Sequence, residues 1–178
     1  MRKIYFAVLI SITIFTAGFS VPDGAISVSY QPNVVRLDRI FRESLPLDKK
    51  DIFFTKVPRG LIVSINEKIF FNESEVKIKE SSLPVIDTII MLLEKLNNYC
   101  VIENHTEENS FDNKNLELSL QRSSNIAEYM ITCGKISASR IFALGYGQYM
   151  PFRDNVSAKK DGLNNRVDFV ILEYEARR

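Results

Sequence analysis

Apolar residues fall into two kinds of pattern along the chain. Short β-branched or alternating runs occur at "GLIVSI" from Gly60, "YCVIE" from Tyr99, "RIFALGYG" from Arg140 and "NRVDFVILEY" from Asn165, and each predicts a strand. Between the first two runs, "SSLPVIDTIIMLLEKLNN" places Leu83, Ile86, Ile90 and Leu93 at helical spacing behind a Ser cap and an early Pro. Between the second and third, "NLELSLQRSSNIAEYMITCG" predicts a helix from about 114 to 133 that stops at Gly134. The order is β-α-β-α-β-β. Strands alternating with helices argue for an α/β or α+β sandwich, with helices packed on a sheet.

The rest of the chain lacks such periodicity. Residues 21–57 hold three of the six prolines and read as an extended arm or adaptor. They are too short for a transmembrane barrel, which needs at least about eight strands of roughly ten residues. Ahead of them, "MRK" and the apolar run "IYFAVLISITIFTAGFS" have the form of an export signal, with Gly18 and Ser20 as small residues before a cut after Ser20. Residues 1–20 are therefore expected to be a signal peptide. An uncleaved anchor helix is the alternative, and residues 4–20 would give it no ionisable side chain for proton conduction.

With 178 residues, 46% of them apolar, the chain is long enough for one ordinary core. A formal charge of +1 provides no strongly basic face, so nucleic acid is not an expected partner. His105 is the only histidine, and the two cysteines lack zinc-site pairing, so neither a catalytic residue, nor a metal site, nor a cofactor is expected. Export would make Cys100 and Cys133 a disulfide candidate, because the start of a strand and the end of the helix returning from it share one pole. Two reduced cysteines are the alternative.

The most unusual chemistry lies on the second helix. Asn115, Ser119 and Arg122 are spaced i, i+4 and i+7, and Ile126, Met130 and Cys133 continue the same stripe as apolar positions. A polar upper end on an inward-facing stripe suits a pocket lip at a helix N-terminus, where anions are favoured. Glu107, leaving the preceding strand, would face the same place. A carboxylate beside a guanidinium is either a structural salt bridge or a clamp for a zwitterion, in which Arg122 grips a carboxylate and Glu107 an ammonium. Spacing does not choose between them.

The segments "RGLIVSINEKIFFNESEVKI", "IENHTEENSFDNKNLELSLQRSSNI", "RIFALGYGQYMP" and "LNNRVDFVI" resemble, in order and spacing, the OmpA-like peptidoglycan-binding domain. The most specific part is His105-Thr106-Glu107 followed by Asn115, Leu118-Ser119 and Arg122. The resemblance implies an α+β domain over residues 58–175, with two main helices on one face of a mixed sheet. It implies noncatalytic binding of the diaminopimelate group of peptidoglycan, with Glu107 on the ammonium, Arg122 on the carboxylate and Asn115 as a polar contact. Thr106, Ser119, Asn164 and Arg166 would be supporting residues. The expected setting is the periplasm, peripheral to the outer membrane or cell wall, with residues 21–57 contacting an envelope protein. Alternatively the fold serves protein–protein contact in an envelope complex without binding peptidoglycan. Departures from the family pattern are Glu107 where Asp is usual, Asn104 for Gly, Asn165 for one Arg of the terminal signature and Asp161 for another Arg.

Overall fold

The computed structural model describes residues 31–106, 113–152 and 164–175. The expected signal segment, Glu107 and Asp161 lie outside these residues. Five strands form one mixed sheet: β1 (Ile52–Val57), β2 (Gly60–Asn66), β3 (Asn98–His105), β4 (Ile141–Gly147) and β5 (Arg166–Glu175), in the order β1-β2-β5-β3-β4. Neighbours are antiparallel except β3 and β4, which run parallel and are joined through a helix. The helices are α1 (Pro32–Ser44), α2 (Leu83–Leu96) and α3 (Asn113–Thr132). From Gly60 onward the element order is the expected β-α-β-α-β-β, and the class is α+β.

Alternation along the strands sets where the core lies. Leu61, Val63 and Ile65 of β2, Ile102 of β3 and Val167, Phe169 and Ile171 of β5 are fully buried on one face. They share a single core with Phe41 of α1, Ile86, Ile89 and Leu93 of α2, and Ile126 and Met130 of α3. The intervening strand residues face the other way, and Phe53, Phe142 and Leu144 there are exposed. Among the described residues no helix is long and apolar enough to cross a membrane.

The segment expected to be an extended arm is regular structure from Pro32 on. Pro32 occupies the first turn of α1, where its missing N–H costs nothing, and Val34, Leu37 and Phe41 are buried on one stripe. Arg42 pairs with Asp38 at 2.7 Å and lies over the Phe54 ring, while β1 adds an edge strand through its ladder with β2. Prolines at both ends and only three fully buried positions hide this helix from a periodicity reading.

Two helix ends also differ from expectation. The Ser82 hydroxyl donates backward to the Lys79 carbonyl and makes no cap to α2. At the end of α3 the left-handed residue is Lys135 (φ 55°), not Gly134. A Cβ on Gly134 would stand 2.5 Å from Ile90 Cδ1, so glycine serves close packing of α3 on α2. The expected disulfide is absent: Cys100 and Cys133 are free thiols. Cys100 points into the core, where burial pushes its thiol far above the ordinary range, while the last turn of α3 leaves Cys133 exposed rather than in the core.

Candidate functional site

The polar stripe of α3 is buried as expected, and β4 explains how it comes so close to the sheet. A Cβ on Gly145 would lie 2.3 Å from the Leu120 backbone nitrogen, and one on Gly147 3.0 Å from that of Leu116. Gly147 also has φ +51°, a conformation that L side chains rarely adopt. The two glycines of "GYG" therefore let the first half of α3 rest directly on β4. Gly147 then joins both predicted segments: its N–H donates to Ser119 Oγ at 2.9 Å, and its carbonyl accepts the Thr106 N–H at 3.1 Å.

Arg122 is 1% exposed, the largest fully buried side chain in the molecule's described part. Its Nη1 donates to Glu67 Oε1 at 2.7 Å, its Nε to the Glu75 carbonyl at 2.7 Å and its Nη2 to the Asn72 carbonyl at 3.1 Å. The Phe71 ring lies 5.2 Å from the guanidinium carbon. Glu67 Oε2 accepts from Thr106 Oγ1 at 2.6 Å and from Asn104 Nδ2 at 2.8 Å. A buried ion pair is tolerable only when further hydrogen bonds satisfy its remaining donors and lone pairs. Here two loop carbonyls and two side chains of β3 and its end supply them.

Thus a structural salt bridge does exist at Arg122, but its acid is Glu67, which sequence reasoning missed. A carboxylate directly after the apolar run "GLIVSIN" was the available signal. Asn104 also acquires a role: it sits in β3 without positive φ, and its amide donates to Glu67 and to the Arg166 carbonyl at 3.2 Å. A glycine could do neither. Asn115 is buried beside the Gly147 backbone. Glu107 directly follows Thr106 and lies outside the described residues.

Asn164 and Arg166 stand apart from Arg122. Asn164 Oδ1 accepts the Phe152 N–H at 3.2 Å, and Arg166 donates to the Met150 carbonyl at 3.3 Å while lying over the Phe152 ring. They tie the segment after β4 to the start of β5. Arg166 Nε also donates to Asp168 Oδ2 at 3.0 Å. On the face of the sheet turned away from α1, α2 and α3, Glu103, His105 and Asp168 are buried together, each offering one donor atom within 4.8 Å of the others. Burial would raise the Asp168 carboxyl, but His105, Arg166 and Ser64 outweigh it and hold it below its ordinary value. Glu103 is raised, chiefly by burial, with Arg59 at 3.4 Å opposing. As the only histidine, His105 offers no expectation of a metal site from sequence; at the end of β3 it stacks on Tyr146, ring centroids 5.0 Å apart. A polar cleft of about 430 Å³ lies at the opposite pole, lined by residues that include Glu94, Tyr99, Lys135 and Arg140.

Comparison with known proteins gives the same architecture. The family model described as "OmpA family" matches residues 70–165. Motility protein B of Bacillus subtilis is 30% identical over 119 residues, 64% of this chain and 45% of that protein. The chain thus spans about half the length of the curated relatives it matches. An outer membrane protein from Borrelia burgdorferi has a similar structure, with TM-score 0.54 and 30% identity over 70% of this chain and 99% of that one. The cell wall anchor of the T6SS from Pseudomonas aeruginosa shares the fold at TM-score 0.61 and 19% identity, over 79% of this chain and 97% of that one.

Proposed function

The chain belongs to the OmpA family, and from that premise we propose that it is a noncatalytic module binding the diaminopimelate stem peptide of peptidoglycan. Its setting would be the periplasm, where it anchors an envelope component to the cell wall. The observation that carries this is the family match itself, which spans both Thr106 and the polar stripe of α3. Arg122 supplies the guanidinium for the ligand carboxylate, Glu107 the carboxylate for its ammonium, and Asn115 a further polar contact. Glu67 and the carbonyls of Asn72 and Glu75 fix the Arg122 fork in place, so little rotamer entropy is lost on binding. The solved T6SS protein of the same fold is named for cell wall anchoring, which agrees with this assignment.

One observation favours the second reading, a protein–protein module without peptidoglycan binding. Arg122 is almost fully buried and already bonded to a carboxylate and two carbonyls, as a purely structural arginine would be. The test is cosedimentation of the purified protein with insoluble diaminopimelate-type peptidoglycan. Because Arg122→Ala removes half of a buried ion pair, its loss of binding would be confounded by unfolding. Glu107→Ala is the decisive variant. Retention by the parent and loss in Glu107→Ala at unchanged Tm supports the clamp, and Glu107→Asp, the usual family residue, is expected to bind at least as well as the parent. A parent protein that is folded but not retained would leave the protein–protein reading.

A further inference from the structure

We propose that Glu103, His105 and Asp168 form a zinc-class metal site on the face of the sheet turned away from α1, α2 and α3. Glu103 and His105 are two apart on β3 and so project from the same face, and Asp168 of β5 is the register partner of Glu103. Strand pairing alone therefore converges an imidazole and two carboxylates. All three are at least nine-tenths buried: Glu103 6%, His105 2% and Asp168 5% exposed.

The second observation is that the protein satisfies this buried group only in part. Neither ring nitrogen of His105 has a hydrogen-bond partner, and Asp168 Oδ1 has none either. Leaving such buried groups unpaired is costly, on the order of 1–3 kcal/mol each. His105 Nε2 does lie 3.2 Å from Asp168 Oδ2, yet out of line for a hydrogen bond. That spacing is close to what one ion imposes on two ligands: bonds of about 2.0–2.1 Å at a tetrahedral angle separate the donors by roughly 3.3 Å. A small rotation of Glu103, whose donor is within 4.8 Å of the others, completes three protein ligands and leaves one position for water.

The surrounding charges decide whether a dication is acceptable. Arg166 Nε donates to Asp168 Oδ2, the same oxygen that faces His105 Nε2, and so orients the carboxylate as an outer partner of a ligand does, while Oδ1 remains open to an ion. Arg59 holds Glu103 at 3.4 Å, but its side chain is 55% exposed and can turn into solvent. Once it leaves, Glu103, Asp168 and Arg166 sum to one negative charge with His105 neutral. The stack with Tyr146 fixes the imidazole plane. One imidazole and two carboxylates suit Zn²⁺ better than Mg²⁺ or Ca²⁺, which prefer oxygen alone. Such a site would lock β3 to β5 one residue before Thr106.

The test is isothermal titration of Zn²⁺ into the chelator-stripped protein, with thermal unfolding measured alongside. The expected result is one Zn²⁺ per chain, a Tm that rises with free zinc, and binding weakened at least about tenfold in both His105→Gln and Glu103→Gln. Mg²⁺ should leave Tm unchanged. No saturable uptake by the parent protein would overturn the proposal, as would uptake that survives unaltered in Glu103→Gln. If His105→Gln fails to fold, Glu103→Gln and the parent titration still decide it.

Discussion

The two faces of the sheet at the end of β3 carry the same kinds of residue in opposite states. Toward the helices, Asn104 and Thr106 join Glu67 and Arg122 in a network where carboxylate, guanidinium, amide and hydroxyl all have partners. Away from them, Glu103 and His105 meet Asp168 and Arg166, and there both imidazole nitrogens and one carboxylate oxygen lack an aligned hydrogen bond. The same strand supplies both sets by alternation. A satisfied buried network rigidifies whatever it holds, whereas an unsatisfied one marks a place where something else can bind.

The largest effect should come from breaking the satisfied side. Arg122→Ala leaves Glu67 charged and buried, with loss of about 3–5 kcal/mol. For a protein of this size that lowers Tm by roughly 10 °C or more, which thermal denaturation would show. A fall of under about 2 °C would mean that Glu67 finds water or another partner, and the two faces would then be alike. Next is Gly145→Ala, which sets a methyl group against the Leu120 backbone at 2.3 Å, with no flexible side chain to yield. Overpacking of this kind costs about 3 kcal/mol. It should also displace α3 from β4 and weaken any peptidoglycan retention beyond what the stability loss explains.

Much of this was legible beforehand. The order of strands and helices, the inward stripe of Asn115, Ser119 and Arg122, and the family itself follow from period, spacing and motif. What escaped depends on contacts between distant segments. Glu67 meets Arg122 across 55 positions of sequence, so no local pattern links them. Asp168 opposes Glu103 only through strand register. The helix α1 went unseen because its short apolar stripe lies between prolines, and the cysteines share a pole but not a face. The side-chain direction at a helix end, not the element layout, rules out their bridge.

Asn104→Gly restores the residue usual in the family and sharpens the comparison from within β3. It deletes the amide hydrogen bonds to Glu67 and the Arg166 carbonyl, leaving Thr106 to hold Glu67 Oε2. At roughly 1 kcal/mol for each bond, the loss should be about 1–2 kcal/mol, visible in the denaturant midpoint at constant m. An unchanged midpoint would show that the amide is dispensable and that Thr106 alone completes the acid.

Glu103→Gln, in chelator-treated protein, should have the smallest effect and the opposite sign. Burial is the main cause raising the Glu103 carboxyl above its ordinary value, so the fold disfavours its ionised form. A raised native value means that the contribution of this group is fully present below the ordinary glutamate range and is lost as pH rises through the native value. Glutamine carries no charge to bury, although it gives up the contact with Arg59, whose exposed position makes that contact weak. The variant should therefore match the parent in acid and exceed it at pH 7 by about 1–2 °C, the response expected for ~0.5 kcal/mol. Asp168 behaves oppositely: its carboxyl is held down, so its contribution is present above the ordinary aspartate range and disappears as pH falls through the native value. Asp168→Asn should accordingly be less stable than the parent at pH 7, the gap closing in acid. If both variants lose stability at pH 7, Glu103 is as well paired as Arg122, and the contrast between the two faces of the sheet fails.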